Sequence, residues 1–222
     1  MKRVDLNVDI AEGFPFDAPL LEFATSANIC CGVHAGSPEL TAETVARCRE
    51  RGIRIGAHPG YPDRESMGRR EPATDEREAF LDSAWDQIRN FAGFQPAYVK
   101  PHGALYNWLS RLDASEAAGA KRRLRLQGTA VMALAETKWA ECLGSFAIRE
   151  GFVDRLVLEN GRLAPRSEPG AVLHDPAEVA AQALRLAPRV DTLCLHGDTE
   201  GCLELAETVV RALRDSGWEL GW

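Results

Sequence analysis

The sequence has no run of apolar residues approaching the ~18 that a membrane-spanning helix needs. It has no surplus of positive charge either. Lys and Arg total 26 against 33 Asp and Glu, a formal net charge of -7. That balance excludes the basic stripe of a nucleic-acid-binding protein and a polybasic membrane anchor. The one dense basic run, Lys121 to Arg125, sits in a helical-looking segment and reads as a solvated helix face. The opening "MKRVDLNVDIAEG" has two positive charges, but Asp5 and Asp9 interrupt the apolar residues behind them, so no signal peptide is expected. The six cysteines form no Cys-x-x-Cys, and Cys30 and Cys31 are adjacent. This excludes the common zinc spacing and a disulfide framework, and fits reduced thiols in a cytoplasmic protein. Three catalytic signatures are also missing: the Gly-x-x-x-x-Gly-Lys-Ser/Thr phosphate loop, His-Glu-x-x-His and Gly-x-Ser-x-Gly. A reaction that uses ATP would find no site of the common kind in this chain.

What is present is an alternation. Strand-like runs are expected at Arg3–Asp9, Ser26–Cys31, Ile53–His58, Tyr98–His102, Ala130–Ala135, Ser145–Arg149 and Thr192–His196. They read as near-continuous apolar runs, as strands buried on both faces do. Helical periodicity lies between most of them. Pro38–Arg51 follows Ser37, a good N-cap, and stops at Gly52. Asp75–Phe91 places Phe80, Leu81, Ala84, Trp85, Ile88 and Phe91 on one face, and helices are expected at Asp175–Leu186 and Thr199–Ser216. No linker or composition shift divides the chain, so residues 1–222 read as a single α/β domain with a parallel sheet. About seven strands, with no dinucleotide fingerprint after the first, predict a closed, distorted β/α barrel. Gly151 to His174, with "NGRLAPRSEPG", is the least regular part and reads as a hairpin or loop excursion over one end.

Polar residues stand where the strands stop. Asp9 follows Val4–Val8, and His34 follows "ANICCGV". His58 ends "RIGAH", His102 ends "YVKPH" and His196 ends "LCLHGD". One strand-end histidine is commonly structural, but four of the five histidines hold such positions. In a β/α barrel the carboxyl ends of the strands meet on one face, so these residues are expected to share a pocket. Asp9 and Glu12 beside His34, His58, His102 and His196 suit general acid–base chemistry. They equally suit a divalent-metal site, with Asp9, His34 and His58 as ligands. Lys100, Arg69 and Arg70 offer positive charge for a carboxylate or phosphate, and Asn28, Tyr106 and Asn107 offer neutral hydrogen bonds. Cys31 beside His34 is weighed as a nucleophile, against the commoner reading of a buried thiol.

The stretches "DLNVDIAEG", "SANICCGVHAG", "GAHPGYPD" with "GRR", "VKPHGALYN", "FVDR", "LAPRSEPGAVL" and "LCLHGD" resemble, in this order, the signatures of the LamB/YcsF family. The resemblance implies a seven-stranded barrel related to the polysaccharide-deacetylase barrel. It implies ATP-dependent cleavage of 5-oxo-L-proline to L-glutamate, with partner subunits B and C. The motif positions carried over are Asp5, Asn7, Asp9, Glu12, Asn28, Gly32, His34, Gly36, His58, Pro59, Asp63, Arg69, Lys100, His102, Tyr106, Asn107, Asp154, Arg155, Arg166, His196 and Asp198. Catalysis is expected from Asp9, Glu12, His34, His58, Lys100 and His102. Asp9 or Glu12 would be the base, and His34 or His58 the acid for the ring nitrogen. Substrate binding is expected from Asn7, Asn28, Arg69, Tyr106, Asn107, His196 and Asp198. ATP would be bound with or by the partners. Two departures stand out: Ile10-Ala11 replaces a more usual Leu-Gly, and Ser37 replaces a frequent Asp. The competing readings are a stand-alone metal-dependent deacetylase or amidase and a non-catalytic carboxylate- or sugar-binding subunit.

Overall fold

The computed structural model describes residues 2–158, 163–166 and 168–222. Eight strands run in parallel: β1 (Lys2–Ile10), β2 (Ser26–Cys30), β3 (Arg54–His58), β4 (Tyr98–Val99), β5 (Val131–Leu134), β6 (Ala147–Phe152), β7 (Thr192–His196) and β8 (Trp218–Leu220). β1 pairs with both β2 and β7, which closes a seven-stranded barrel. The expected seven strands are these, and the barrel class is as read from the sequence. β8 was not expected. It pairs only with Lys2–Val4, below the point where β2 begins its own pairing at Asn7. The terminal Trp222 then stacks on the Arg54 guanidinium at 3.6 Å and donates from Nε1 to Ser26 Oγ at 2.5 Å, which covers the amino end of the barrel.

The surrounding helices are α1 (Asp17–Leu20), α2 (Pro38–Glu50), α3 (Arg77–Phe91), α4 (Gly103–Leu109), α5 (Ala114–Arg123), α6 (Lys138–Leu143), α7 (Pro176–Leu186) and α8 (Cys202–Asp215). Ser37 caps α2 by accepting from the Leu40 N–H, and Asp175 caps α7 by accepting from Ala177 and Glu178, each with Pro at the first helical position. α8 buries Leu205, Ala206, Val209, Val210 and Leu213, a stripe of helical period. It begins three residues later than expected because Gly201 stands in the left-handed region at φ 73°, and Thr199 before it turns its hydroxyl to Asp154. The stretch after His102 enters α4 directly, so Tyr106 and Asn107 stand on a helix. The 151–174 excursion is hairpin-like, with antiparallel bridges Arg155–Val172 and Val157–Leu163. Residues 159–162 and Ser167, which include four of the eleven residues of "NGRLAPRSEPG", lie outside the described residues.

The strands are buried on both faces, but the inner face is not apolar. Side chains two apart share a face of a strand. Along β1 that places Leu6, Val8 and Ile10 in the hydrophobic core and turns Asp5, Asn7 and Asp9 to the polar network in the barrel. Each inward group has partners, as burial demands. Asp5 accepts from Thr25 at 2.6 Å, from Ser26 at 2.8 Å and from Thr192. Asn7 donates to Glu150 at 3.0 Å and to Thr192 at 2.8 Å. Asp9 accepts from Asn28 and from Lys100 Nζ, both at 2.8 Å. Lys100 lies between two carboxylates, since Glu150 Oε1 is 2.9 Å from its Nζ, and it also donates to Asn7 and to the Cys194 sulfur. Burial alone would depress the Lys100 ammonium. The Asp9 carboxylate, then Cys194 and Glu150, outweigh it and hold the group well above the ordinary lysine range. Burial would likewise raise Asp9, but Lys100 and then His58 hold it well below the usual carboxylate value of 3.8.

The tightest turn at the functional end can be tested by substitution. Ala11 has φ 63° and Gly36 has φ 56°, and a Cβ on Gly36 would lie 2.0 Å from the Ala11 carbonyl oxygen. Gly36→Ala is therefore expected to cost more than ~2 kcal/mol in thermal or urea unfolding. Ala11→Gly should fall within ~1 kcal/mol of the parent: relief of ~1–2 kcal/mol of left-handed strain offsets a lost buried methyl and a freer unfolded chain. The reverse ranking would contradict the turn geometry. Lys100→Met should destabilise the fold by ~3–5 kcal/mol, because it leaves two buried carboxylates unpaired. The loss should depend on pH. In the parent, Asp9 ionises below its unfolded value, so its contribution is full above 3.8 and fades as pH falls through the lower folded value. In the variant, burial loses its largest opponent and the ionised form is penalised above that point. The gap in melting temperature should then widen from pH 5 to pH 8, and a gap independent of pH would contradict the charge account.

Candidate active site

The carboxyl ends of the strands open into a cavity of about 560 Å³. Asp9 and Lys100 lie in its floor, and His102, Tyr106, Asn107 and His196 line its walls. Arg69, Arg111, Arg155 and Arg166 stand around it. Register explains the convergence: Asp9 faces Asn28 on one side and His196 on the other, and His58 faces Cys30.

The expected residues divide into three groups. Asn7 and Asn28 are fully buried beneath the floor, where they orient Asp9, Lys100 and Glu150. They position the floor and are not among the residues that line the cavity. Lys100, expected to meet a substrate carboxylate, is already paired with Asp9 and Glu150. Its charge is committed to the floor. Arg69 and Asp198 form an ion pair at 2.6 Å, and Arg166 joins the same carboxylate at 3.0 Å. Two guanidiniums thus share one anion, which leaves an excess positive charge beside the cavity. Arg155 adds to it, although burial, and then Arg166, bring its pKa down to about 10. Arg70 turns away to Glu76 and Tyr61.

His34 and His58 do not line the cavity. They are fully buried behind His102, and the three rings gather around Glu12. Glu12 Oε1 is 3.3 Å from His34 Nε2, 3.3 Å from His102 Nδ1 and 3.7 Å from His58 Nε2. Of the metal candidates Asp9, His34 and His58, the two histidines gather with Glu12 and His102. Asp9 is drawn to Lys100 and Asn28, with its other oxygen 3.5 Å from His58, while Glu12 and His102 complete the cluster. Burial lowers His34's affinity for a proton, but its bonds to Cys30 and Glu12 raise its pKa to about 9. Burial, and then the neighbouring His34 and His58, push His102 well below the usual histidine range. Cys30, rather than Cys31, approaches His34, at 3.8 Å. Burial and Cys30 push the Cys31 thiol up, so it is no thiolate nucleophile.

On the opposite wall His196 forms a dyad that sequence reasoning missed. Its Nδ1 is 2.9 Å from Asp154 Oδ1, and its backbone N–H and the Thr199 hydroxyl also donate to that carboxylate. A carboxylate can only accept, so Nδ1 carries a proton and Nε2 is the nitrogen turned away from Asp154. Burial alone would raise Asp154, but His196 and Thr199 hold it below the ordinary carboxylate range. A ring nitrogen of His196 also lies within 4.8 Å of the Asp9 carboxylate and Cys194. Glu150 and Asp17 are two more residues with no expected role. Asp17 Oδ2 accepts from the N–H groups of Glu12 and Gly13 and so fixes the turn that carries Glu12. Burial pushes its own carboxyl up to about 6. The "DR" of "FVDR" was the available signal for Asp154. Glu150 and Asp17 had none beyond being carboxylates in otherwise apolar surroundings.

Comparison with known proteins matches this architecture. The profile of the LamB/YcsF family matches residues 4–221. The chain is 37% identical over 244 aligned residues to the A subunit of 5-oxoprolinase from Rhodopseudomonas palustris, covering 97% of this chain and 96% of that one. It superimposes on the crystal structure of a lactam utilization protein from Thermus thermophilus with a TM-score of 0.81 and 31% identity, covering 99% of both chains. A family 4 carbohydrate esterase from Streptomyces lividans, at 10% identity and a TM-score of 0.55 over 100% of this chain and 92% of that one, shares the fold. With its barrel closed by β1 and its signature residues gathered at one end, the chain belongs to the LamB/YcsF family.

Proposed function

We propose that this chain is the A subunit of an ATP-dependent 5-oxoprolinase and opens the lactam ring of 5-oxo-L-proline to give L-glutamate. One observation carries the reading: nearly the whole chain matches relatives that bear that name, and a lactam utilization protein. The cavity chemistry supports it. The excess positive charge of Arg69 and Arg166 suits the substrate carboxylate or a phosphoryl group. A lactam is a stable amide and its hydrolysis is unfavourable near neutral pH, so ATP is needed. Phosphorylating the amide oxygen makes the carbonyl carbon a better electrophile. Water then adds to that carbon while His196 Nε2 takes its proton, with Asp154 steadying the imidazolium. The ring C–N bond breaks, His196 returns the proton to the departing nitrogen, and a second water hydrolyses the resulting γ-glutamyl phosphate to L-glutamate and inorganic phosphate. Asp9 is too weak a base for this step, since Lys100 holds it ionised at low pKa. It keeps Lys100 in place below the reacting atoms. We assign the nucleotide chemistry to partner subunits B and C, because the chain carries no phosphate-loop motif. We assign the reaction to the cytoplasm, where ATP is available.

The isolated chain is expected to release neither glutamate nor phosphate from 5-oxoproline and ATP, and adding subunits B and C should restore both together. ATP-coupled glutamate formation by the single chain would remove the partner requirement, and deacetylation by the chain alone would remove the substrate assignment. In the assembled enzyme, Asp154→Asn should lower kcat by ~10²–10⁴-fold with little change in KM, because His196 loses the partner that fixes its tautomer. An unchanged kcat would exclude His196 as the base.

A further inference from the structure

The three rings around Glu12 are held in a defined protonation pattern from behind. His58 Nδ1 is 2.7 Å from the Lys100 carbonyl oxygen, and His102 Nε2 is 2.9 Å from that of Met67. A carbonyl only accepts, so both nitrogens carry their protons outward. Cys30 directs its thiol to the Ala35 carbonyl at 3.4 Å, leaving its sulfur to receive His34 Nδ1 at 3.8 Å. All three imidazoles therefore spend their N–H on the surrounding shell. Their remaining nitrogens, His34 Nε2, His58 Nε2 and His102 Nδ1, point at one another and at the Glu12 carboxylate. Two of them, on His58 and His102, are only 2.9 Å apart. Facing acceptors inside a barrel repel unless a cation, a proton or a metal ion, lies among them.

We propose that Glu12, His34, His58 and His102 form a closed, four-donor site for a divalent transition-metal ion, with zinc the best match. The spacing fits. Metal–ligand bonds of ~2.0–2.1 Å in a tetrahedron put neighbouring donors about 3.3 Å apart. Glu12 Oε1 lies 3.3, 3.3 and 3.7 Å from the three nitrogens, and all four donors lie within 4.8 Å of one another. Three histidines and a carboxylate are zinc donors, and the outward hydrogen bonds to carbonyls and sulfur are the shell that orients ligating imidazoles. Four protein ligands leave no position for water or substrate, so the ion is structural. It ties the turns after β1 and β2 and the last residue of β3 to the start of α4, and it borders the cavity through His102. The metal site goes beyond the 5-oxoprolinase reading and stands apart from it, because its test reads metal rather than turnover.

The test begins with the full chain purified without chelator, stripped, and titrated with Zn²⁺ or Co²⁺ against a chromophoric competitor. One ion per chain is expected, with a higher melting temperature in the zinc form. The Co²⁺ form should show the intense visible bands of a tetrahedral ion. Glu12→Gln should weaken binding by ~100-fold or more, whereas Asp9→Asn should change it less than tenfold. The pale spectrum of a six-coordinate Co²⁺ ion would overturn the closed site. So would stoichiometry far below one in the parent chain, or loss of binding in Asp9→Asn with retention in Glu12→Gln. The parent-chain stoichiometry and spectrum decide the matter even if a variant fails to fold.

Discussion

The buried Lys100 ammonium, held between the Asp9 and Glu150 carboxylates, is the interaction on which the functional end is built. Its charge balance is unusual for a buried position: one cation and two carboxylates, with Asn7 and Asn28 as neutral donors to them and Glu150 Oε2 left without a partner. Removing a partner from such a buried group costs several kcal/mol, since a charge is then left without compensation. The geometry is therefore exacting. β1 supplies Asp9, β6 supplies Glu150 and the end of β4 supplies Lys100, so the network also ties together strands that are not neighbours in the sheet.

The cavity inherits its order from this network. Asp9 stays ionised because Lys100 is there, and His196 is its register neighbour across β1 and β7. The Lys100 carbonyl fixes the ring of His58, which in turn meets His102. One residue thus anchors the floor through its side chain and the histidine cluster through its backbone. The arginine rim is built separately, from the loop holding Arg69 and from the 151–174 excursion holding Arg155 and Arg166, and is joined through Asp198. Chemistry at the floor and charge at the rim can therefore vary independently.

Much of the barrel could be read from the chain. Seven strand runs and the caps at Ser37 and Asp175 follow from local patterns of short range, and strand-end histidines can be counted without coordinates. Pairing across distance could not be read. Glu150 lies in "AIREGF" as an ordinary strand carboxylate, and only closure of the barrel brings it to Lys100, fifty residues away. The polar inner face of β1 was present as the alternation Asp5, Asn7, Asp9, but a two-sided apolar strand is the usual expectation for a parallel sheet. Asp154 and Asp17 act by orienting His196 and Glu12, and such supporting roles depend on hydrogen-bond geometry that spacing does not encode. The exchange of Asp9 for Glu12 and His102 around the histidines has the same cause. Lys100 competes for Asp9, and that competition exists only in three dimensions.

A buried Lys100 ammonium shared by two carboxylates is the feature to measure most directly. The chain has only four lysines, at positions 2, 100, 121 and 138, so ¹⁵N-lysine labelling gives an interpretable ammonium spectrum. One Nζ signal is expected to show slow hydrogen exchange, to remain protonated above the ordinary lysine value of about 10.4, and to be absent from Lys100→Met. A Lys100 signal that titrates at or below that value, or exchanges as fast as those of the other three, would contradict the shared-ammonium floor.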